Sequence, residues 1–302
     1  TELLSDLQYY TGTHDLGFMV FCSFGNAYRL APEAGDSAII VNASKSLASR
    51  YNPQKGVIRS WDFGEWTYPV IIDNMMNLEM LFWASQATQD STFRNIAITH
   101  ADNTMKFHYR PDMSCCHVVD YIDPTNDITK QMTYQGYSDS STWARGQAWG
   151  LYGYTLCFEE TNHSAYLERA QQIAKFIMEN PAIPEDLIPY WDYNAPTIPD
   201  APRDASAAAV TASALFELST LVENGQTYFD YAEKIIKELS TPNYLAEKGT
   251  NNGFILKHST GSLPHGSEID VPLNYADYYY LEALKRYIKL KNIDSKALLS
   301  QK

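Results

Sequence analysis

Residues 143–179, WARGQAWGLYGYTLCFEETNHSAYLERAQQIAKFIME, decide the fold. Apolar residues recur at helical spacing on both sides of a short break at Glu160 to His163. A break that brief turns the second helix back along the first, so the stretch reads as an α-hairpin. Working outward, the same spacing returns at 16–30, 35–50, 73–88, 91–109, 204–222, 226–240 and 272–290. Links within a pair are short, whereas links between pairs, such as 180–203, are longer and carry Pro and Gly. Strand-like stretches are few and short. Stacked solenoid repeats would show a fixed period, and none is visible. The irregular spacing therefore favours an all-α chain closed on itself as a toroid, one barrel-like catalytic domain over residues 1–302. In such a ring the long links 12–17, 60–73, 117–143, 191–204 and 257–274 gather at one rim, where functional residues concentrate.

Composition narrows the function. The chain has 302 residues, 45% of them hydrophobic, and 13% aromatic with 22 Tyr, an excess that suits both a large core and walls that lie flat against sugar rings. A formal charge of −13, with no run of Lys and Arg, argues against nucleic acid as a partner. The same charge repels anionic substrates at long range, so an acidic ligand has to be met by a few placed donors. Cys22, Cys115, Cys116 and Cys157 lack metal-ligand spacing and read as free thiols, so neither a metal nor another cofactor is expected. No apolar run is long enough to span a bilayer.

Two aspartates each stand just before an apolar helical run: Asp15 in Thr13-His14-Asp15-Leu16-Gly17-Phe18, and Asp73 in Ile72-Asp73-Asn74-Met75-Met76-Asn77. Alone, each reads as a helix N-cap. Their company argues for more. Asp73 follows the aromatic link Trp61-Asp62-Phe63-Gly64-Glu65-Trp66 and precedes Asn77 by one turn, a setting that would raise a carboxyl pKa as a general acid requires. Asp15 is the natural second carboxylate. Gln135-Gly136-Tyr137, followed by Trp143-Ala144-Arg145-Gly146-Gln147-Ala148-Trp149, is the most specific segment. Arg145 and Trp149, four apart, share a helix face, which suits a carboxylate on the guanidinium with its ring against aromatic surface. A purely structural Arg–Trp stack is the plainer reading. His14, His117, His258 and His265 lie in or beside the links and read as hydrogen-bond donors to sugar hydroxyls or a carboxylate; a structural role is equally open for the last two. No nucleophile elbow, P-loop or dinucleotide fingerprint is present, which leaves the chemistry to carboxylates.

Taken together, His14-Asp15-Leu16-Gly17-Phe18, Ile72 to Asn77, His117, the Gln135 to Trp149 block and Ser267-Glu268-Ile269-Asp270-Val271-Pro272-Leu273-Asn274-Tyr275-Ala276-Asp277-Tyr278-Tyr279 resemble glycoside hydrolase family 88, the unsaturated glucuronyl hydrolases. The likeness runs from Thr13 to about Tyr287. It implies an (α/α)6 six-hairpin barrel. It also implies that a 4,5-unsaturated uronic acid is removed from the non-reducing end of a glycosaminoglycan-derived oligosaccharide by hydration of a vinyl ether. Asp73 matches the general acid and base, and Asp15 the second acidic residue. His14, His117, Gln135, Trp143, Arg145 and Trp149 match positions that hold the uronate, and Phe18 matches an apolar wall. Because the chemistry is hydration, the carboxylate-separation rule for retaining and inverting glycosidases does not apply. Family members carry a stretch upstream of the His-Asp motif, so an N-terminal segment beyond the given chain is expected. The loop His258 to Ser267 is expected beside the leaving sugar and has no internal Lys to mark a sulfate. The rival readings are an unsaturated rhamnogalacturonyl hydrolase acting on pectin fragments and a non-catalytic carbohydrate-binding toroid. The periplasm is favoured over the cytoplasm.

Overall fold

The computed structural model describes residues 2–123 and 128–293. They fall into two compact units. Unit 1 is residues 1–133 with 156–167, and unit 2 is residues 134–155 with 168–302.

Unit 1 opens with a 3-10 stretch, Glu2–Tyr9, and a wide π-helical stretch, Gly17–Gly25, that runs on into α1 (Asn26–Leu30). The single helix expected over 16–30 is thus two windings in series. Helix α2 (Ala34–Ala48) follows, and then the two-residue strands β1 (Tyr51–Asn52) and β2 (Val57–Ile58), paired antiparallel. Strand β3 (Pro69–Ile71) runs straight into a 3-10 turn, Ile72–Asn77, and helix α3 (Leu78–Thr88). Gln89 ends α3 in the left-handed region, and Asp90 opens α4 (Ser91–Phe107) by accepting the Thr92 N–H at 2.9 Å. The α3–α4 pair is the short-linked hairpin that its spacing implied.

The 117–143 link is less irregular than expected, because it contains β4 (Val118–Asp123) and β5 (Ile128–Met132). These join β3 in a three-stranded antiparallel sheet of order β3-β4-β5, with Ile71 opposite Val118 and Val118 opposite Met132. Four apolar residues interrupted by Asp120 carry no period that distinguishes strand from link, and the partner β3 is contributed from far upstream. One face of the sheet closes a small core of Val57, Tyr68, Val70, Cys116, Val119 and Tyr121. The Asp120 carboxylate ties the entry to β3 by accepting the Thr67 N–H at 3.0 Å and the Tyr68 N–H at 2.6 Å.

Helices α5 (Ala144–Thr161) and α6 (Ser164–Glu179) form the quoted hairpin, and the boundary between units passes along them. Within unit 2, α7 (Ala205–Leu221) is buried along nearly its whole length and is packed against both α8 (Gln226–Leu239) and α9 (Asn274–Leu290). Its Ala-rich sequence permits that: small side chains let two helices approach one at once. Of the thiols, Cys115, Cys116 and Cys157 are buried and Cys22 is half-buried, and none of the four forms a disulfide.

Candidate active site

The sheet of unit 1 explains how Asp73 meets His117. Ile71, the last residue of β3, pairs with Val118, the first of β4, and the Ile72 N–H donates to the His117 carbonyl at 3.1 Å. Just past that junction, the His117 Nε2 lies 3.8 Å from the Asp73 carboxylate, with the histidine side chain wholly buried and the aspartate 14% exposed. Trp61 packs edge-on against the His117 ring at 6.4 Å.

Beside them lies the pair His14–Asp15. His14 is buried; its Nδ1 faces the Ser60 carbonyl at 2.9 Å and its Nε2 the Asp15 carboxylate at 3.0 Å. Both facing atoms are acceptors, an arrangement that favours the doubly protonated form of His14. The electrostatics agree. Burial works against the charge, but the Asp15 and then the Asp73 carboxylates outweigh it, and the His14 pKa is raised above its usual 6.5. For Asp15, desolvation is overcome by His14 and by hydrogen bonds from Asn77 and Thr13, and its pKa falls below 3.8.

Asn77 is the residue that holds the two carboxylate-bearing segments in register. It accepts the Phe18 N–H at 3.0 Å, donates to the Asp73 carbonyl at 3.3 Å and bonds the Asp15 side chain. Gly17 makes this possible, since a Cβ there would lie 2.6 Å from the Asn77 Cα. The capping reading of the two aspartates does not hold. The cap positions are Leu16 and Ile71, and neither start has a side-chain cap hydrogen bond. Phe18 is half-buried at the opening of the π-helical stretch. Ser60 was not singled out from sequence, yet its hydroxyl accepts from the Ile71 N–H at 2.8 Å and the Asn74 amide at 3.1 Å.

In unit 2 the start of α5 is fastened by Asp192, a residue of the 191–204 link that the sequence reading did not single out. Asp192, fully buried, accepts the Tyr137 N–H at 2.9 Å, the Ser141 hydroxyl at 2.7 Å and the Asn194 N–H at 2.8 Å, and burial raises its pKa. Arg145 follows as the second residue of the helix and is 2% exposed. The carboxylate against it belongs to the protein itself: Nη1 donates to Asp204 at 2.6 Å, and the guanidinium also reaches the carbonyls of Thr260 at 2.6 Å and Gly261 at 2.7 Å. Asp204 in turn caps α7 through the Ser206 N–H at 3.1 Å. The guanidinium lies 4.4 Å over the Trp143 ring and 5.3 Å from that of Tyr275. Trp149 packs edge-on against Tyr275 and Tyr279. Trp143 and Trp149 are both buried, and half-buried Gln135 donates to the Gly261 carbonyl at 3.1 Å. His258 pairs with Asp270 at 2.6 Å, and His265 meets the Ser262 hydroxyl at 2.7 Å. Among the described residues, no group of three or more His, Cys, Asp or Glu is placed to hold a metal ion.

Comparison with known proteins gives these arrangements a context. No family model matches the chain. An unsaturated glucuronyl hydrolase of Formosa agariphila is 47% identical over 289 residues, spanning 95% of this chain and 72% of that relative. The crystal structure of an unsaturated glucuronyl hydrolase specific for heparin is 52% identical, with a TM-score of 0.94 over 96% of this chain and 78% of that one. A Streptococcus agalactiae unsaturated glucuronyl hydrolase, solved as an Asp-to-Asn variant with dGlcA-GalNAc6S, is 29% identical, with a TM-score of 0.77 over 91% of this chain and 68% of that one. The fold class is accordingly the all-α (α/α)6 toroid of those structures.

Proposed function

The chain belongs to the unsaturated glucuronyl hydrolases, glycosidases that release a 4,5-unsaturated uronate, and from that membership we propose a division of labour between its two carboxylates. Asp73 is the general acid and base, and Asp15 is the ionised partner. The observation that carries this is the buried His14, whose Nδ1 faces the Ser60 carbonyl and whose Nε2 lies 3.0 Å from the Asp15 carboxylate: as an imidazolium it holds Asp15 as the anion, which leaves the exchangeable proton of the site to Asp73. The Asp73 carboxyl protonates C4 of the uronate, and the positive charge develops on C5 and the ring oxygen. The resulting carboxylate then takes a proton from the water that adds at C5. The hemiketal so formed opens and expels the neighbouring sugar. His117, beside Asp73, positions that carboxyl, and Phe18 supplies an apolar wall.

Gln135, Trp143, Arg145 and Trp149 are proposed to shape the uronate-binding surface of unit 2. Because Asp204 already balances the Arg145 charge, the guanidinium does so mainly by fixing the Thr260 and Gly261 carbonyls. The proposed substrates are glycosaminoglycan fragments, heparin-derived ones first, following the relative whose crystal structure is described as specific for heparin.

The test is the near-ultraviolet absorbance of the conjugated uronate in unsaturated disaccharides from heparin, chondroitin, hyaluronan and rhamnogalacturonan. Loss on a glycosaminoglycan disaccharide supports the proposal, and loss on the rhamnogalacturonan disaccharide alone overturns it. A periplasmic location is proposed alongside, and recovery only in the cytoplasmic fraction after osmotic shock would overturn it. Among the described residues no helix is long and apolar enough to cross a membrane.

A further inference from the structure

We propose that Ser60 is a positioning residue of the hydration reaction: its carbonyl orients His14 toward Asp15, while its hydroxyl fixes the backbone before Asp73 and the side chain after it. The inference rests on the carboxylate division proposed above. Ser60 is wholly buried, and its polar groups face the segments of both carboxylates. The carbonyl lies 2.9 Å from the His14 Nδ1. The hydroxyl accepts the Ile71 N–H at 2.8 Å and the Asn74 amide at 3.1 Å. A methyl group in its place would leave those two buried donors facing carbon.

The carbonyl itself is held from several sides. The Ser60 N–H donates to the Pro69 carbonyl at 2.9 Å, and the Arg59 N–H to that of Arg50 at 3.0 Å. Two residues upstream of Ser60, the Ile58 N–H donates to Nδ1 of the buried His100 at 3.1 Å. The Asn74 amide nitrogen that reaches Ser60 also donates to the Ile58 carbonyl, at 2.7 Å, so Asn74 bridges Ile58 and Ser60 from a place next to Asp73. Reacting groups keep their geometry when the groups behind them are locked in turn, and this segment is locked at each of its residues from Ile58 to Ser60.

The effect is electrostatic as well as geometric. Burial opposes a charge on His14, and the carboxylates of Asp15 and Asp73, with the Ser60 carbonyl after them, raise its pKa in spite of it. His100, bonded to Ile58 and kept neutral by burial, is also near the ring. A Ser60 carbonyl that drifted would free the imidazole to turn and to release its proton. Asp15 would then lose its cation and compete with Asp73 for the proton that the reaction moves.

The experiment follows the absorbance of unsaturated heparin disaccharide against pH for the wild type, Ser60→Ala, Ser60→Thr and Asn74→Ser. Ser44→Ala is the control, because Ser44 is a wholly buried serine of the same unit whose hydroxyl is bonded instead to the Ile40 and Met80 carbonyls. Ser60→Ala is expected to lower kcat about ten- to hundredfold, with KM within about threefold of wild type, and to move the alkaline limb of kcat to lower pH. Threonine, which keeps the hydroxyl, should recover most of kcat and return the limb. Asn74→Ser should act in the same direction as the alanine, to a smaller extent. In parallel the His14 ring is titrated by NMR without substrate, its signal assigned by its loss in His14→Asn, and its midpoint should fall by about half a unit in Ser60→Ala. A kcat within twofold of wild type, a loss confined to KM, a His14 midpoint that stays in place, or a Ser44→Ala control that reproduces the changes overturns the proposal. If Ser60→Ala does not fold, Asn74→Ser decides: wild-type kcat and an unmoved midpoint in that variant overturn it. The NMR arm needs no turnover. Failure of the carboxylate division, seen as an Asp73→Asn variant that still consumes the disaccharide, is thereby told apart from failure of this contact.

Discussion

At the scale of single residues the active site depends on where protons reside. His14 has a raised pKa, so its proton contributes stability that is fully present below 6.5 and is lost as pH climbs through the raised value. Asp15 has a lowered pKa, so its charge contributes stability present above 3.8 and lost as pH falls through the lowered value. The pair is intact between those limits. Replacing His14 by Asn should therefore destabilise the protein by about 1–3 kcal/mol at pH 6, less than for a fully buried pair because Asp15 is 38% exposed. That difference should shrink in thermal melts taken at rising alkaline pH, and one that grew with pH would contradict the imidazolium assignment. The grouping of His14, Asp15 and Asp73 was legible in the sequence because each aspartate stands at the head of an apolar helical run, one beside a histidine and the other after an aromatic link. Asn77 was visible only as a neighbour one turn from Asp73. Its bond to the Phe18 backbone spans 59 positions, and no local pattern announces such a contact.

At the scale of elements, two close approaches set the geometry. Gly17→Ala should push the Gly17–Gly25 stretch away from Asn77, costing about 1–3 kcal/mol as overpacking does and lowering kcat, because the Asp15 and Asp73 segments lose their shared clamp. Unchanged kinetics would show that the register is held elsewhere. Asp204→Ala should cost about 3–5 kcal/mol in denaturant unfolding, since it strands the buried Arg145 charge and removes the cap of α7. A loss under 1 kcal/mol would mean that the carbonyls of Thr260 and Gly261 suffice. The helix pairs were readable because amphipathic periodicity is a local property. Strands β4 and β5 were not, because their order comes from pairing with β3. The Arg145 partner was missed for a related reason. Spacing showed an arginine on a helix face, but its carboxylate comes from 59 residues away, at the start of another helix.

For the molecule as a whole, acid is the vulnerable side. His100 and His108 are buried and neutral, with pKa values pushed down to about 3 and about 4, chiefly by desolvation. A histidine depressed in the folded state lends stability above the unfolded value of 6.5 and withdraws it as pH falls toward the folded one, because the unfolded chain binds the extra proton. The melting temperature should drop by several degrees between pH 6.5 and pH 4.5, and His108→Gln should flatten that slope; an unchanged slope would assign acid sensitivity to other groups. Composition had already set out the larger-scale problem, that a chain of charge −13 must capture an anionic sugar. His14, with its raised pKa, is the local cation proposed to stand beside the Asp15 and Asp73 carboxylates. The central claim is that Asp73 moves the proton while Asp15 stays ionised. It is tested most directly by following the near-ultraviolet absorbance of an unsaturated heparin disaccharide with the Asp73→Asn variant, whose disaccharide affinity is confirmed by calorimetry. The account predicts retained binding and a rate at least about 10²–10⁴-fold below wild type. A variant that binds and still consumes the double bond at a rate near wild type would contradict it.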